Sequence, residues 1–109
     1  MLAKYQLQRT QHPDSVPVLL HSLNKHHEIE PLRARYQRML VRKNMTHAQL
    51  LNRLRRACNV QPREALVVLY GTANPVLPTP ATLMSQIDAQ FTEEDGAVHA
   101  TYALENTFG

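Results

Sequence analysis

Few side chains in this sequence are spaced for chemistry, so each candidate can be weighed alone. His26-His27-Glu28 puts two imidazoles and a carboxylate in a row. Adjacent side chains diverge on any regular backbone, so a metal site there needs ligands from elsewhere. No supporting cluster accompanies them, and a solvated loop is the expected reading. Cys58 is the single cysteine, which excludes an internal disulfide and a cysteine-based zinc site. It falls on the apolar stripe of an expected helix, where a thiol behaves as a small hydrophobe rather than a nucleophile. Glu93-Glu94-Asp95 lies in a turn without the spacing of an EF-hand. Three glycines form no phosphate-cradling loop, and no Ser/His/Asp order proposes itself. The residues give no positive case for catalysis, a cofactor or a metal ion. Gly109 stands apart. With no Cβ, its carbonyl can enter a narrow channel. As a terminal carboxylate it is ionised at neutral pH and inert to amines until activated.

The 109 residues carry 12 Lys and Arg against 9 Asp and Glu. That balance hides a division. Residues 1–66 hold all twelve basic residues and four acids, a formal +8, whereas residues 67–109 hold five acids and no basic residue, a formal −5. Such asymmetry speaks of partners rather than of fold. The basic residues concentrate in Arg33, Arg35, Arg38, Arg42 and Lys43 and in the run Arg53-Leu54-Arg55-Arg56. Clustered arginine can neutralise phosphates. Aromatic residues are only 6%, however, which leaves few platforms for stacking bases. A solvated helix face, or a surface for an acidic peptide or lipid, is the competing reading.

At 43% apolar and 19% charged the chain reads as one globular domain spanning 1–109. Its longest apolar run, Ala65–Tyr70, is far short of the roughly 20 residues that span a bilayer. No long apolar stretch opens the chain, so no secretory signal is expected.

The elements follow from periodicity and punctuation. Met1–Gln11 suggests a short helix closed by Pro13-Asp14. Val16–Leu20 reads as a strand, and Pro17 places it at an edge there or near its start. Asn24–Pro31 is a polar turn, and Tyr36–Val41 a second strand. Thr46-His47-Ala48-Gln49 fits a capping box, and Leu50, Leu51, Leu54, Ala57 and Cys58 form one apolar stripe behind it. Ala65–Tyr70 reads as a central strand buried on both faces. Thr79-Pro80 suggests the start of a second helix bearing Leu83, Met84, Ile87 and Phe91. Asp95-Gly96 marks a turn before a last strand, Val98–Leu104. A hairpin, a packed helix and returning strands predict an α+β fold with helices on a mixed sheet.

Four segments then stand in a telling order: Pro13-Asp14-Ser15-Val16-Pro17-Val18, Pro78-Thr79-Pro80-Ala81-Thr82-Leu83-Met84-Ser85, Glu94-Asp95-Gly96, and Tyr102-Ala103-Leu104-Glu105-Asn106-Thr107-Phe108-Gly109. Together they resemble the autophagy ubiquitin-like modifiers, the family of GABA-receptor-associated protein and microtubule-associated protein light chain. The resemblance implies a β-grasp fold: a mixed four-stranded sheet, helices packed on it, a helical extension over 1–12 and a flexible tail over 105–109. It implies no enzymatic activity. It implies that Gly109 is exposed by a Cys protease, carried by activating and conjugating enzymes that recognise Thr107 and Phe108, and joined to phosphatidylethanolamine. The setting is the cytoplasm and, once conjugated, the autophagosome membrane. It also implies binding of cargo receptors through motifs in which an aliphatic residue stands three positions after an aromatic one. Such a peptide adds to the edge of the second strand, Arg38-Met39-Leu40-Val41. The aromatic pocket then falls on Pro17, Leu19, Arg38 and Leu40, and the aliphatic pocket on Met39, Val41, Met45, Leu50 and Leu54.

The sequence also departs from the family. Twelve residues precede Pro13, room for about one helix where the family has two. Ser15 replaces an arginine, Ala97 a phenylalanine and Arg42 a proline, and Gly71–Asn74 looks inserted. Two rival functions follow: a β-grasp adaptor that binds motifs without conjugation, and a nucleic-acid-binding domain on the basic half. The resemblance favours neither, and no nucleic-acid partner is expected.

Overall fold

The computed structural model describes residues 3–24 and 28–106. Helix α1 spans Gln6–Gln11, strand β1 Ser15–Ser22, β2 Arg38–Arg42, helix α2 His47–Cys58, β3 Glu64–Tyr70, helix α3 Met84–Phe91 and β4 Val98–Asn106. The four strands form one mixed sheet in the order β2-β1-β4-β3. β1 and β4 lie side by side in parallel, and β2 and β3 flank them antiparallel. This is the β-grasp arrangement that the resemblance implies.

The inner face carries the core. Val16, Val18 and Leu20 of β1, Val41 of β2, Leu66, Val68 and Tyr70 of β3 and Val98, Ala100 and Tyr102 of β4 point there. Leu50 and Leu54 of α2 and Met84 and Ile87 of α3 close over them. Period-two alternation sends the intervening residues to the outer face. There a second, small cluster forms from Tyr5, Leu19 and Ala97.

β1 is the strand buried on both faces: all five residues from Val16 to Leu20 are buried. That place was expected for Ala65–Tyr70, but β3 sits at the sheet edge, with alternate residues only half-buried. Both runs are continuously apolar, and only topology decides which one is covered twice. Pro17 finds its place in an interior strand for a local reason. Hydrogen bonds from Lys43 N–H to Asp14 and from Leu20 N–H to Gln37 set the pairing parity with β2. That parity makes Pro17–Leu40 a non-hydrogen-bonded pair, so the proline nitrogen faces the other side. On that side the ladder with β4 begins only at Val18.

Other boundaries also shift. Residues 30–36 are helical, ending in a wide π-type turn at Leu32–Tyr36, where a turn and the start of a strand were expected. Ile29, Leu32 and Tyr36 all pack on the core, a spacing that suits a helix. The N-cap expected at Thr79 is not used, and α3 begins at Met84. Residues 79–82 are held as a turn because their carbonyls serve α2: His47 N–H donates to Thr82 and Ala48 N–H to Pro80, at 2.8 and 3.0 Å. The capping box of α2 forms as expected, with Gln49 N–H on the Thr46 hydroxyl and Thr46 N–H on the Gln49 amide oxygen. β4 continues past Leu104, pairing Glu105 with Ala65 and Asn106 with Glu64, so these two residues belong to the sheet rather than to the tail. Thr107, Phe108 and Gly109, and His26 and His27, lie outside the described residues.

Candidate functional site

Two cross-strand pairs found the site. Pro17 lies opposite Leu40, and Leu19 opposite Arg38. Both are non-hydrogen-bonded pairs, the kind that brings side chains closest. All four residues therefore gather on the outer face and border one cavity of about 310 Å³. Tyr5 and Gln8 supply its far wall. β2 is also an edge strand. Its pairing parity turns the backbone N–H and C=O of Arg38 and Leu40 away from β1, so an extended peptide can pair beside the cavity.

The far wall stands where it does because α1 is clasped to the opposite side of the sheet. Tyr5 N–H donates to the Asp95 carbonyl at 2.8 Å. Arg9 holds the Asp88 carboxylate with two nitrogens, at 2.6 and 3.1 Å, and its Nε donates to the Gly96 carbonyl at 2.6 Å. The Thr92 hydroxyl also bonds Asp88. Burial alone would raise the Asp88 carboxyl. Its hydrogen bonds from Arg9 and Thr92, and the charges of Arg9 and Lys43, outweigh that and hold it below its ordinary value. Gly96 has φ +88°, a left-handed conformation that suits glycine, and the backbone of Tyr5 passes close to it. Beside it Ala97 is fully buried in the cluster with Tyr5 and Leu19. Tyr5 thus packs against Leu19 and the small side chain of Ala97.

The residues expected for the separate aliphatic pocket lie away from this cavity, except Met39. Val41, Leu50 and Leu54 are at most 2% exposed and belong to the inner core. The reason is the strand period: Val41 is one residue out of phase with Leu40 and faces the helices. Met39 packs on the core and borders the cavity, while Met45 borders a separate polar groove with Gln49, Arg53 and Arg56.

The basic residues divide in the same way. Arg33 pairs with Glu30 at 2.9 Å, Arg55 reaches the Glu64 carbonyl, and Arg9 forms the clasp. Arg38 stands at the cavity. Arg42 and Lys43 line a polar groove of about 520 Å³ with His12 and Asp14. The remaining candidates are occupied structurally. Burial pushes the Cys58 thiol up, away from the reactive thiolate. Asp95 accepts from Ala97 N–H and contacts His99 at 2.8 Å. Among the described residues no group of three or more His, Cys, Asp or Glu is placed to hold a metal ion. No helix among them is long and apolar enough to cross a membrane.

Sequence reasoning missed Tyr5, Gln8 and the Arg9–Asp88 pair. The clasp joins residues 79 apart, and no local pattern announces such a contact. It also missed His47, a buried imidazole whose Nδ1 lies 3.0 Å from the Tyr70 hydroxyl. Burial lowers the His47 pKa and raises that of Tyr70.

Comparison with known proteins agrees with this architecture. The family described as "Autophagy protein Atg8 ubiquitin like" matches residues 3–109. Autophagy-related protein 8 of Schizosaccharomyces pombe is 31% identical over 101 residues, covering 93% of this chain and 78% of its own length. Autophagy-related protein 8d of Arabidopsis thaliana is 30% identical over 93% of this chain and 79% of its own. The crystal structure of Trypanosoma brucei ATG8 superposes with a TM-score of 0.73 at 24% identity, covering 95% of this chain and 84% of that one. Fold, family match and relatives agree, and the chain belongs to the Atg8 family of autophagy ubiquitin-like proteins.

Proposed function

We propose that this protein is a non-enzymatic modifier whose Gly109 carboxyl is joined by an amide to the amino group of phosphatidylethanolamine, and that it then recruits cargo receptors to autophagic membranes. The observation that carries the proposal is the ending Glu105-Asn106-Thr107-Phe108-Gly109 in a chain of the Atg8 family. Adenylation and thioester transfer by activating and conjugating enzymes, with Thr107 and Phe108 as their recognition residues, supply the activation that a carboxylate lacks. A processing Cys protease exposes Gly109 if further residues follow it. The protein is then cytoplasmic until conjugated and on the autophagosome membrane afterwards.

Receptor binding is assigned to the outer-face cavity. Pro17, Leu19, Arg38 and Leu40 receive the aromatic residue of a motif, and the free edge of β2 pairs with its backbone. The aliphatic residue lands near Met39 and Met45, with Val41, Leu50 and Leu54 as the buried floor beneath. Reconstitution with cognate enzymes, ATP and phosphatidylethanolamine vesicles tests the conjugation. The wild-type chain should gain the mass of one lipid on Gly109, and Gly109→Ala should not. A wild-type chain that stays unmodified overturns conjugation. If it still binds motif peptides, the open cavity supports the second reading, a non-conjugated adaptor.

A further inference from the structure

A second apolar feature lies at the end of the sheet where β4 finishes. A cavity of about 520 Å³ opens between the segment after β1 and residues 103–104 of β4, lined by Leu23, Glu28, Ile29, Ala103 and Leu104 among others. Leu23 is 59% exposed and Leu104 42% exposed, and both border this cavity. Isolated exposed leucines need no explanation, but two flanking one cavity mark a contact site. Nothing in receptor binding uses them: the peptide cavity is bordered by α1, β1 and β2.

Position in the chain identifies the occupant. Gly109 is five residue steps beyond Leu104, and an extended chain spans at most about 3.6 Å per step, so Gly109 stays within roughly 18 Å of Leu104. If Gly109 carries a lipid, this end of the sheet is held against the bilayer. A tether that short raises the effective concentration of the interface to about the millimolar range, enough to make a weak apolar contact persist. At the opposite end of the sheet lie the polar groove of Arg42, Lys43, His12 and Asp14 and the loop that follows β3, whose exposed Leu77 is far from the tail in the sheet. The carboxylate of Glu28, which borders the cavity, lies 3.7 Å from the Arg33 guanidinium, so its charge is partly offset.

We propose that Leu23 and Leu104 form a membrane-seating spot, inserted at the boundary between headgroups and acyl chains, which fixes the tail end of the sheet on the bilayer after conjugation. The inference rests on the conjugation reading above, and its test is built to be independent of the enzymes. The chain has no tryptophan, so single tryptophans report one position each. Leu23→Trp, Leu104→Trp and, at the opposite end, Leu77→Trp are made in a Cys58→Ser background with one cysteine added after Gly109. Each is coupled to a maleimide lipid in phosphatidylcholine vesicles with and without brominated chains. The expected result is blue-shifted emission, quenched by bromine, for Leu23→Trp and Leu104→Trp, with Leu77→Trp unchanged. Emission at positions 23 and 104 equal to that of the untethered protein overturns the proposal. So does equal quenching at position 77, or quenching that appears only when anionic lipid is added. Because a chemical tether replaces the enzymes, failed enzymatic conjugation would remove Gly109 lipidation without changing this readout.

Discussion

The inner face of the sheet is closed by two full helices, α2 and α3, whereas the outer face is closed by six residues of α1 and the segment before it. The inner layer is held by apolar side chains that interdigitate over most of the sheet. The outer layer is held by one arginine, one carboxylate and a few backbone hydrogen bonds, and beneath it only Tyr5, Leu19 and Ala97 form a cluster. The difference shows how one small sheet serves two ends. The sealed face supplies stability, and the incompletely covered face leaves Arg38 and Leu40 of the edge strand β2 free to meet a partner. Burial is cooperative and contact-rich on the first and sparse on the second, so the same chemical change should have very different consequences on each.

Leu54→Ala should have the largest effect. Leu54 is 0% exposed at the centre of the inner layer, and removing a buried leucine side chain leaves a cavity costing about 2–5 kcal/mol. Urea unfolding followed by circular dichroism measures it. A loss below about 1 kcal/mol would mean that the site collapses freely and that the inner layer is not the seat of stability.

Arg9→Met should come next, because it opens the outer layer and leaves the inner one closed. It keeps the apolar stem and removes the charge, leaving the Asp88 carboxylate without its bidentate partner. Hydrogen bonds to charged groups contribute about 1.5–3 kcal/mol, with the lower part expected at this partly exposed pair. Hydrogen exchange should show residues 5–12 losing protection while β1 and β4 retain theirs. Uniform loss across the chain would show instead that α1 is integral to the core. The clasp also has a pH signature. Asp88 sits below its unfolded value of 3.8, so its contribution is complete above that pH and is lost as pH falls through the lower folded value. In Arg9→Met this part of the acid limb should flatten.

Legibility follows the same division of faces. The capping box of α2 and its stripe of Leu50 and Leu54 are local patterns, and the sequence places them within a residue. The Asp95-Gly96 turn and the run Val16–Leu20 are local too. What escapes is decided by distant partners. Thr79-Pro80 has the chemistry of a helix start, yet α2 claims the carbonyls of Pro80 and Thr82 and delays α3 to Met84. Val67 and Val68 resemble an interior strand, yet sheet order makes β3 an edge. In the site, Pro17, Leu19, Arg38 and Leu40 were legible through the family resemblance, and the register explains why they meet. Val41, Leu50 and Leu54, expected in a separate aliphatic pocket, lie in the inner core, because position along the chain does not reveal how deeply a side chain is buried.

Leu40→Ala should have the smallest effect on the fold, and that makes it the sharpest measure of the contrast. Leu40 is 40% exposed on the outer face, so truncation should change unfolding free energy by no more than about 0.5 kcal/mol. Yet in the proposed pocket it lies opposite Pro17, where an aromatic side chain would bury against both. An apolar anchor of that kind contributes more than about 1 kcal/mol to binding, a loss of fivefold or more in affinity. Titration of a fluorescent aromatic-x-x-aliphatic peptide into wild type and Leu40→Ala, beside their urea curves, separates the two quantities. Lost affinity at unchanged stability places recognition on the face that packing leaves open. Unchanged affinity would remove Leu40 from the pocket, and a large loss of stability would make the outer face a second core.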